Sequence, residues 1–257
     1  MKVCPVKRIS LFVMITLVTL LSARADSYTS PGTTPDFGQE YLPGWGNSWC
    51  APTAAADGIY WLSQYNPSLL QGYLPGDNIG ASAIISQLGA DMGTTPYGGT
   101  SAAGMVSGLH NYLGLYGGGQ AYSVSVTYAM DLIGGGSNLL EDMELDLMAG
   151  QDVLPLIIWN NSNIGHVVDM TGWNTSGITI KDPDANPSQL FWSDEDLTAT
   201  ITGTGADGIG ISYDGGGVIE GFVDITGPAS SAPEPGTFIL VGLGVTVLSR
   251  RVRRAKG

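Results

Sequence analysis

Residues 138–159 read NLLEDMELDLMAGQDVLPLIIW, and the change of pattern inside them decides the fold class. From Asn138 to Ala149 the segment is amphipathic at helical spacing, and Gly150 closes it. Val153 to Trp159 is then a short apolar run of strand character. Upstream, helical spacing recurs three times. One segment runs from Cys50 to Leu62, with Pro52 tolerated in the first turn and apolar residues at Ala55, Ile59 and Leu62; the others are Ala81 to Leu88 and Ser101 to Leu115. Downstream, His166 to Trp173, Gly177 to Lys181, Gln189 to Trp192 and Val218 to Ile225 read as strands. Helices first and strands second predict an α+β fold in one domain, residues 26–231, with glycine clusters at 117–119, 134–136 and 215–217 as turns.

The ends differ from this body. Lys2, Lys7 and Arg8 precede an apolar run from Leu11 to Leu21, and Ala23-Arg24-Ala25 follows, so residues 1–25 have the three parts of a cleavable secretory signal. The apolar run is shorter than the roughly 20 residues a membrane-crossing helix needs. At the other end Pro233-Glu234-Pro235 leads into an apolar stretch from Gly236 to Ser249 and then Arg250, Arg251, Arg253, Arg254 and Lys256. Basic residues after an apolar stretch stay in the cytoplasm, which predicts that the domain lies outside and the tail, residues 232–257, holds it at the membrane.

Without those ends only Lys181 remains of ten Lys and Arg residues, against 22 acids, a formal charge of −21. Such a surface makes nucleic acid and anionic lipid poor partners and would suit a cationic substrate, bound divalent ions or, most simply, solubility in a salty exterior. Asp182-Pro183-Asp184-Ala185-Asn186 begins like a calcium loop, but Pro187 and Ser193 stand where glycine and glutamate are required, so no EF-hand is expected. The run Asp194-Glu195-Asp196 reads as a solvated face.

Cys4 lies in the signal, so the mature chain keeps a single cysteine, Cys50. Exported proteins keep structural cysteines in pairs, and an odd one suggests a reactive thiol or an intermolecular bridge. Thiols attack as thiolates, and a helix N-terminus, where Cys50 is predicted to sit, stabilises that anion. Such a nucleophile needs a histidine base. His110 falls mid-helix beside Leu109 and Tyr112, whereas His166 follows Gly165 and opens a strand that can aim it at the helix of Cys50. The third member is expected to be Asp182, which ends the next strand, where a hairpin brings it alongside His166 and Pro183 stops the strand. Asp169 would face the opposite side of its strand, and Asn160, Asn161 and Asn163 are weaker candidates in the preceding turn.

The stretches Asn47-Ser48-Trp49-Cys50-Ala51-Pro52-Thr53, Gly165-His166-Val167-Val168-Asp169-Met170-Thr171-Gly172-Trp173 and Lys181-Asp182-Pro183 together resemble the papain superfamily. The nearest likeness is to the double-glycine bacteriocin-leader peptidases, which the stretch from Met143 to Trp159 also resembles. The resemblance implies a papain-like fold, in which the Cys-bearing helix packs on a C-terminal antiparallel sheet. It also implies catalysis by Cys50, His166 and Asp182 in that order, with no cofactor and no metal. That branch usually has an oxyanion-donating glutamine six residues before the cysteine, where this chain has Gly44; Asn47 is the expected substitute and Gln39 the second choice. The tail resembles the PEP-CTERM sorting signal, which implies processing by an exosortase and display on the surface or in the matrix of a Gram-negative bacterium. The expected function is an exported cysteine peptidase or related amide-bond hydrolase acting on a peptide or protein. The same triad would serve an acyl or glutamyl transferase, and the acidic surface and tail would also suit a silent matrix or adhesion protein.

Overall fold

In a computed structural model of the chain, the structure describes residues 27–39, 46–160, 164–184 and 196–228, apart from the side chain of Asn47. The signal, the sorting tail and the expected strand from Gln189 to Trp192 therefore lie outside the described residues. The four expected helices are present: α1 is Cys50–Ser63, α2 Asn78–Asp91, α3 Ala102–Tyr116 and α4 Gly136–Met148, with bounds within two residues of expectation except for α2, which runs three residues further at each end. Local capping explains two of the starts. The Asp77 carboxylate accepts from the Ile79 N–H at 3.0 Å, and the Ser101 hydroxyl accepts from the Gly104 N–H at 3.1 Å, each taking up one of the free donors of a first turn.

Every residue of α1 is buried, which a helix tolerates only if neighbours can come close on all sides. Ala51, Ala54, Ala55, Ala56 and Gly58 provide that closeness, and α2, α3 and one face of the sheet pack around it. This core joins Ile59, Leu62, Ile84, Leu88, Met105 and Leu109 to Leu154, Val167, Val223 and Ile225 of the strands. A second core contains Leu139, Met143 and Leu147 of α4 together with Val153, Met170, Ile178, Ile209, Ile219 and Phe222.

Among the described residues the strands are β1 Tyr28–Thr29, β2 Ser123–Tyr128, β3 Asp152–Trp159, β4 Gly165–Val167, β5 Asp169–Asn174, β6 Gly177–Lys181, β7 Leu197–Gly205, β8 Gly208–Ser212 and β9 Gly217–Thr226. All pair antiparallel, and the sequence β5-β6-β7-β8-β9-β3 returns to its start because Val153 of β3 pairs with Met170 of β5. The result is a closed six-stranded barrel, with β1, β2 and β4 as additions on β5, β9 and β3.

This closure overturns the papain-like α+β expectation of a helix laid on a sheet. Two features were decisive. Strands β7 and β8, which complete the ring, contain Gly203, Gly205, Gly208 and Gly210, a composition that reads as loop yet suits the tight bends of a barrel. Strand β2 lies between α3 and α4 and pairs with β9 over six positions, so helices and strands are not segregated along the chain. The single expected strand from His166 to Trp173 is also broken at Val168, giving β4 and β5, which lie one after the other along the same edge of β3.

Candidate active site

Cys50 is the first residue of α1 and is 8% exposed. Just before it, Trp49 inserts its indole against Gly89 of α2, where no Cβ would fit, and the Trp49 carbonyl accepts from the Thr53 N–H at 3.2 Å and the Thr53 hydroxyl at 2.8 Å. These contacts fix the start of the helix. His166 is the middle residue of β4 and pairs across to Ile157 of β3. Asp182 follows β6 directly, and the β5–β6 hairpin, in which Lys181 pairs with Asp169, carries it back beside β4.

The three side chains form a chain of contacts. His166 Nε2 lies 2.7 Å from Asp182 Oδ1, leaving Nδ1 free for the hydrogen bond that His166 shares with the Cys50 thiol. Burial alone would depress the His166 pKa, but the hydrogen bonds to Asp182 and Cys50 and their charges outweigh it, and the imidazole is pushed up to about 10. Burial likewise pushes Asp182 up, and it is overcome by the bond and charge of His166, the Asp184 N–H at 2.9 Å and the Tyr213 hydroxyl at 2.8 Å, so that the carboxyl ends below its ordinary value. His166 is therefore protonated at neutral pH, beside an ionised Asp182.

Two residues that sequence reasoning missed complete the site. The ring of Trp159, at the end of β3, stacks on His166 with centroids 5.6 Å apart at 29°, and also contacts Tyr213 at 6.2 Å. Tyr213 donates to the second oxygen of Asp182, and burial followed by that carboxylate raises its own pKa. Together they shield the His166–Asp182 pair from water, which strengthens its electrostatic coupling. No spacing signal marks either: Trp159 reads as the last apolar residue of a core strand, and Tyr213 as part of a glycine-rich turn.

The other candidates fall elsewhere. Asn47 lies in a short 3-10 turn, Gly46–Ser48, immediately before Cys50, with its side chain outside the described residues. Gln39 donates its side-chain amide to Asp184 at 2.9 Å and its backbone N–H to the Pro183 carbonyl at 2.9 Å, so it braces the turn that holds Asp182. Asp169 is buried and bonds to Asp152 instead of His166. Asn160 is exposed, Asn161 and Asn163 lie outside the described residues, and His110 is exposed on α3. Among the described residues no group of acids, histidines and cysteines is arranged to hold a metal ion. Asp196 is exposed, yet it pairs with the buried Lys181 at 3.2 Å.

Cys50 and His166 open onto a cleft of about 530 Å³ between the α3 end of the helical layer and the outer face of β3 and β4. A smaller hollow of about 240 Å³ around Lys181 and Asp196 has neither cysteine nor histidine among its described lining residues. The protein is thus a barrel-and-helix domain with a linked cysteine, histidine and aspartate at the mouth of a groove. Residues 231–254 match the PEP-CTERM protein-sorting motif, which implies processing by an exosortase-type enzyme and points to export and display at the surface or exterior of a Gram-negative bacterium. No curated protein matches the chain. Among the described residues no helix is long and apolar enough to cross a membrane.

Proposed function

We propose that the chain is an exported thiol hydrolase of amide bonds, with Cys50 as nucleophile, His166 as acid and base, and Asp182 as the group that orients and charges His166. The observation that carries this reading is the unbroken contact from the Cys50 thiol through the His166 ring to Asp182 Oδ1, at the edge of a cleft. A protonated His166 facing Cys50 places a positive charge beside the sulfur that is to attack.

The step is then simple to balance. The Cys50 sulfur attacks the carbonyl carbon, and the C=O electron pair moves onto the oxygen. The first-turn N–H groups of α1, those of Cys50 and Ala51, have no carbonyl one turn earlier in their own helix and are suited to bind that oxyanion. As the C–N bond breaks, the His166 imidazolium passes its proton to the leaving amine. Neutral His166 then takes a proton from water, whose oxygen displaces the thiolate from the acyl-enzyme. No cofactor enters any step. Asn47, in the turn preceding Cys50, is the side chain we assign as additional oxyanion donor.

An iodoacetamide probe should label Cys50 faster than free cysteine at neutral pH, His166→Ala should slow it, and Cys50→Ala should abolish cleavage of a peptide library. Labelling at the rate of free cysteine, indifferent to His166, together with no cleavage, would instead mark a silent binding module of the cell surface. Capture of the acyl-enzyme by an added amine in preference to water would mark an acyl transferase.

A further inference from the structure

The cleft wall beside the reacting pair is apolar, built from Met105, Tyr128, Leu156, Ile158 and Ile164, with one negatively charged side chain among the described lining residues, Glu220. Its position on β9 is unusual. Ile219 pairs with Ile157 of β3 and Gly221 pairs with Leu156, so Glu220 is the extra residue of a β-bulge with no partner on β3. On the opposite edge of β9 the pairing with β8 reaches Ile219 and that with β2 starts at Gly221, so the bulge falls where one neighbour gives way to another. Bulges re-aim a side chain that regular alternation would place elsewhere. Here residues 221–225 are all buried while Glu220 is exposed in the cleft.

Among the described residues the carboxylate has no counter-ion. No hydrogen bond or ion pair holds it among the described residues, and Lys181, the only lysine or arginine between Asp26 and Ser249, is paired with Asp196 at 3.2 Å. Within residues 26–249 no other lysine or arginine is left for Glu220, so a substrate is a ready source of its cation. The register His166–Ile157–Ile219 spans two inter-strand steps, so Glu220 stands roughly 10 Å from the histidine, about three residues of extended peptide.

Resting on the reading of Cys50 and His166 given above, we infer that Glu220 sets specificity. The cleft takes peptides that carry a lysine or arginine two or three residues from the bond attacked, with apolar side chains beside it. Two chloroacetamide peptide probes, identical except for arginine or the isosteric, uncharged citrulline at that position, test this by their rates of alkylating Cys50 in the full domain. The arginine probe should react about fivefold faster at low salt, the scale of a partly exposed ion pair. Glu220→Gln should equalise the two rates and Glu220→Lys should reverse their order. Equal rates in the parent protein, or an arginine preference that survives Glu220→Gln and so stems from the general charge of −21, would overturn the inference. The ratio is readable whether or not Cys50 is activated. The iodoacetamide comparison with His166→Ala judges the proposed function separately.

Discussion

Replacing Asp182 by asparagine keeps the volume and one hydrogen-bonding oxygen beside His166 but removes the charge. The intact site pushes the imidazole from its ordinary 6.5 to about 10, a preference for the imidazolium of about 5 kcal/mol. Burial is the largest single influence on this ring and acts downward, so the upward push is borne by the bonds and charges of Asp182 and Cys50. Without the carboxylate only Cys50 opposes burial, and the His166 pKa should fall by at least about two units, the effect of losing an adjacent opposite charge. The chain has two histidines, so the ring proton signal of His166 can be followed by NMR across pH, with His110→Gln identifying the other. Linkage gives a second readout. A histidine whose folded pKa is raised contributes stability fully present below its unfolded pKa near 6.5, and loses it as pH rises through about 10. The decline in unfolding free energy over that interval should be smaller in Asp182→Asn. A His166 signal still titrating near 10 in the variant would refute the claim that Asp182 charges the ring.

Substitutions at two further positions probe the support beneath the site. Gly58 of α1 lies against the Asp152 carboxyl, into which a Cβ would intrude, so Gly58→Ala should destabilise by about 1–3 kcal/mol despite alanine's helical advantage of up to about 1 kcal/mol. In an Asp152→Ala background the same change should be neutral or stabilising, and denaturant titration of the four proteins decides it. Asp152 is raised to about 7, by burial first and by the charge of Asp224, against the lowering bond to Asp169. A carboxyl raised on folding stabilises most below its unfolded pKa near 3.9 and loses that contribution as pH rises to about 7. Asp152→Asn should flatten the fall in melting temperature between pH 4 and 8, and an unchanged profile would count against it.

The sequence by itself determined the sorting tail, the four helices and the choice of Cys50, His166 and Asp182 as the candidate cluster, because each rests on local or compositional facts. Charged and apolar blocks at the termini are contiguous. Helical spacing is read within a few turns. A mature chain with one cysteine and two histidines leaves little choice of nucleophile and base. Even the contact of Asp182 with His166 followed from a single hairpin. What only the tertiary structure decided depends on pairings distant in the chain. Closure of the barrel requires β3 to meet β5 while β7 and β8 are strands, and their glycines, which permit the bend, erase the alternation that would announce a strand. Trp159 and Tyr213 come together over His166 and Asp182 across 54 residues of sequence, and Glu220 is turned into the cleft by a one-residue irregularity between β3 and β9. Neither leaves a periodic trace, since a bulge and a ring stack are set by register between strands, which no run of residues along one strand encodes.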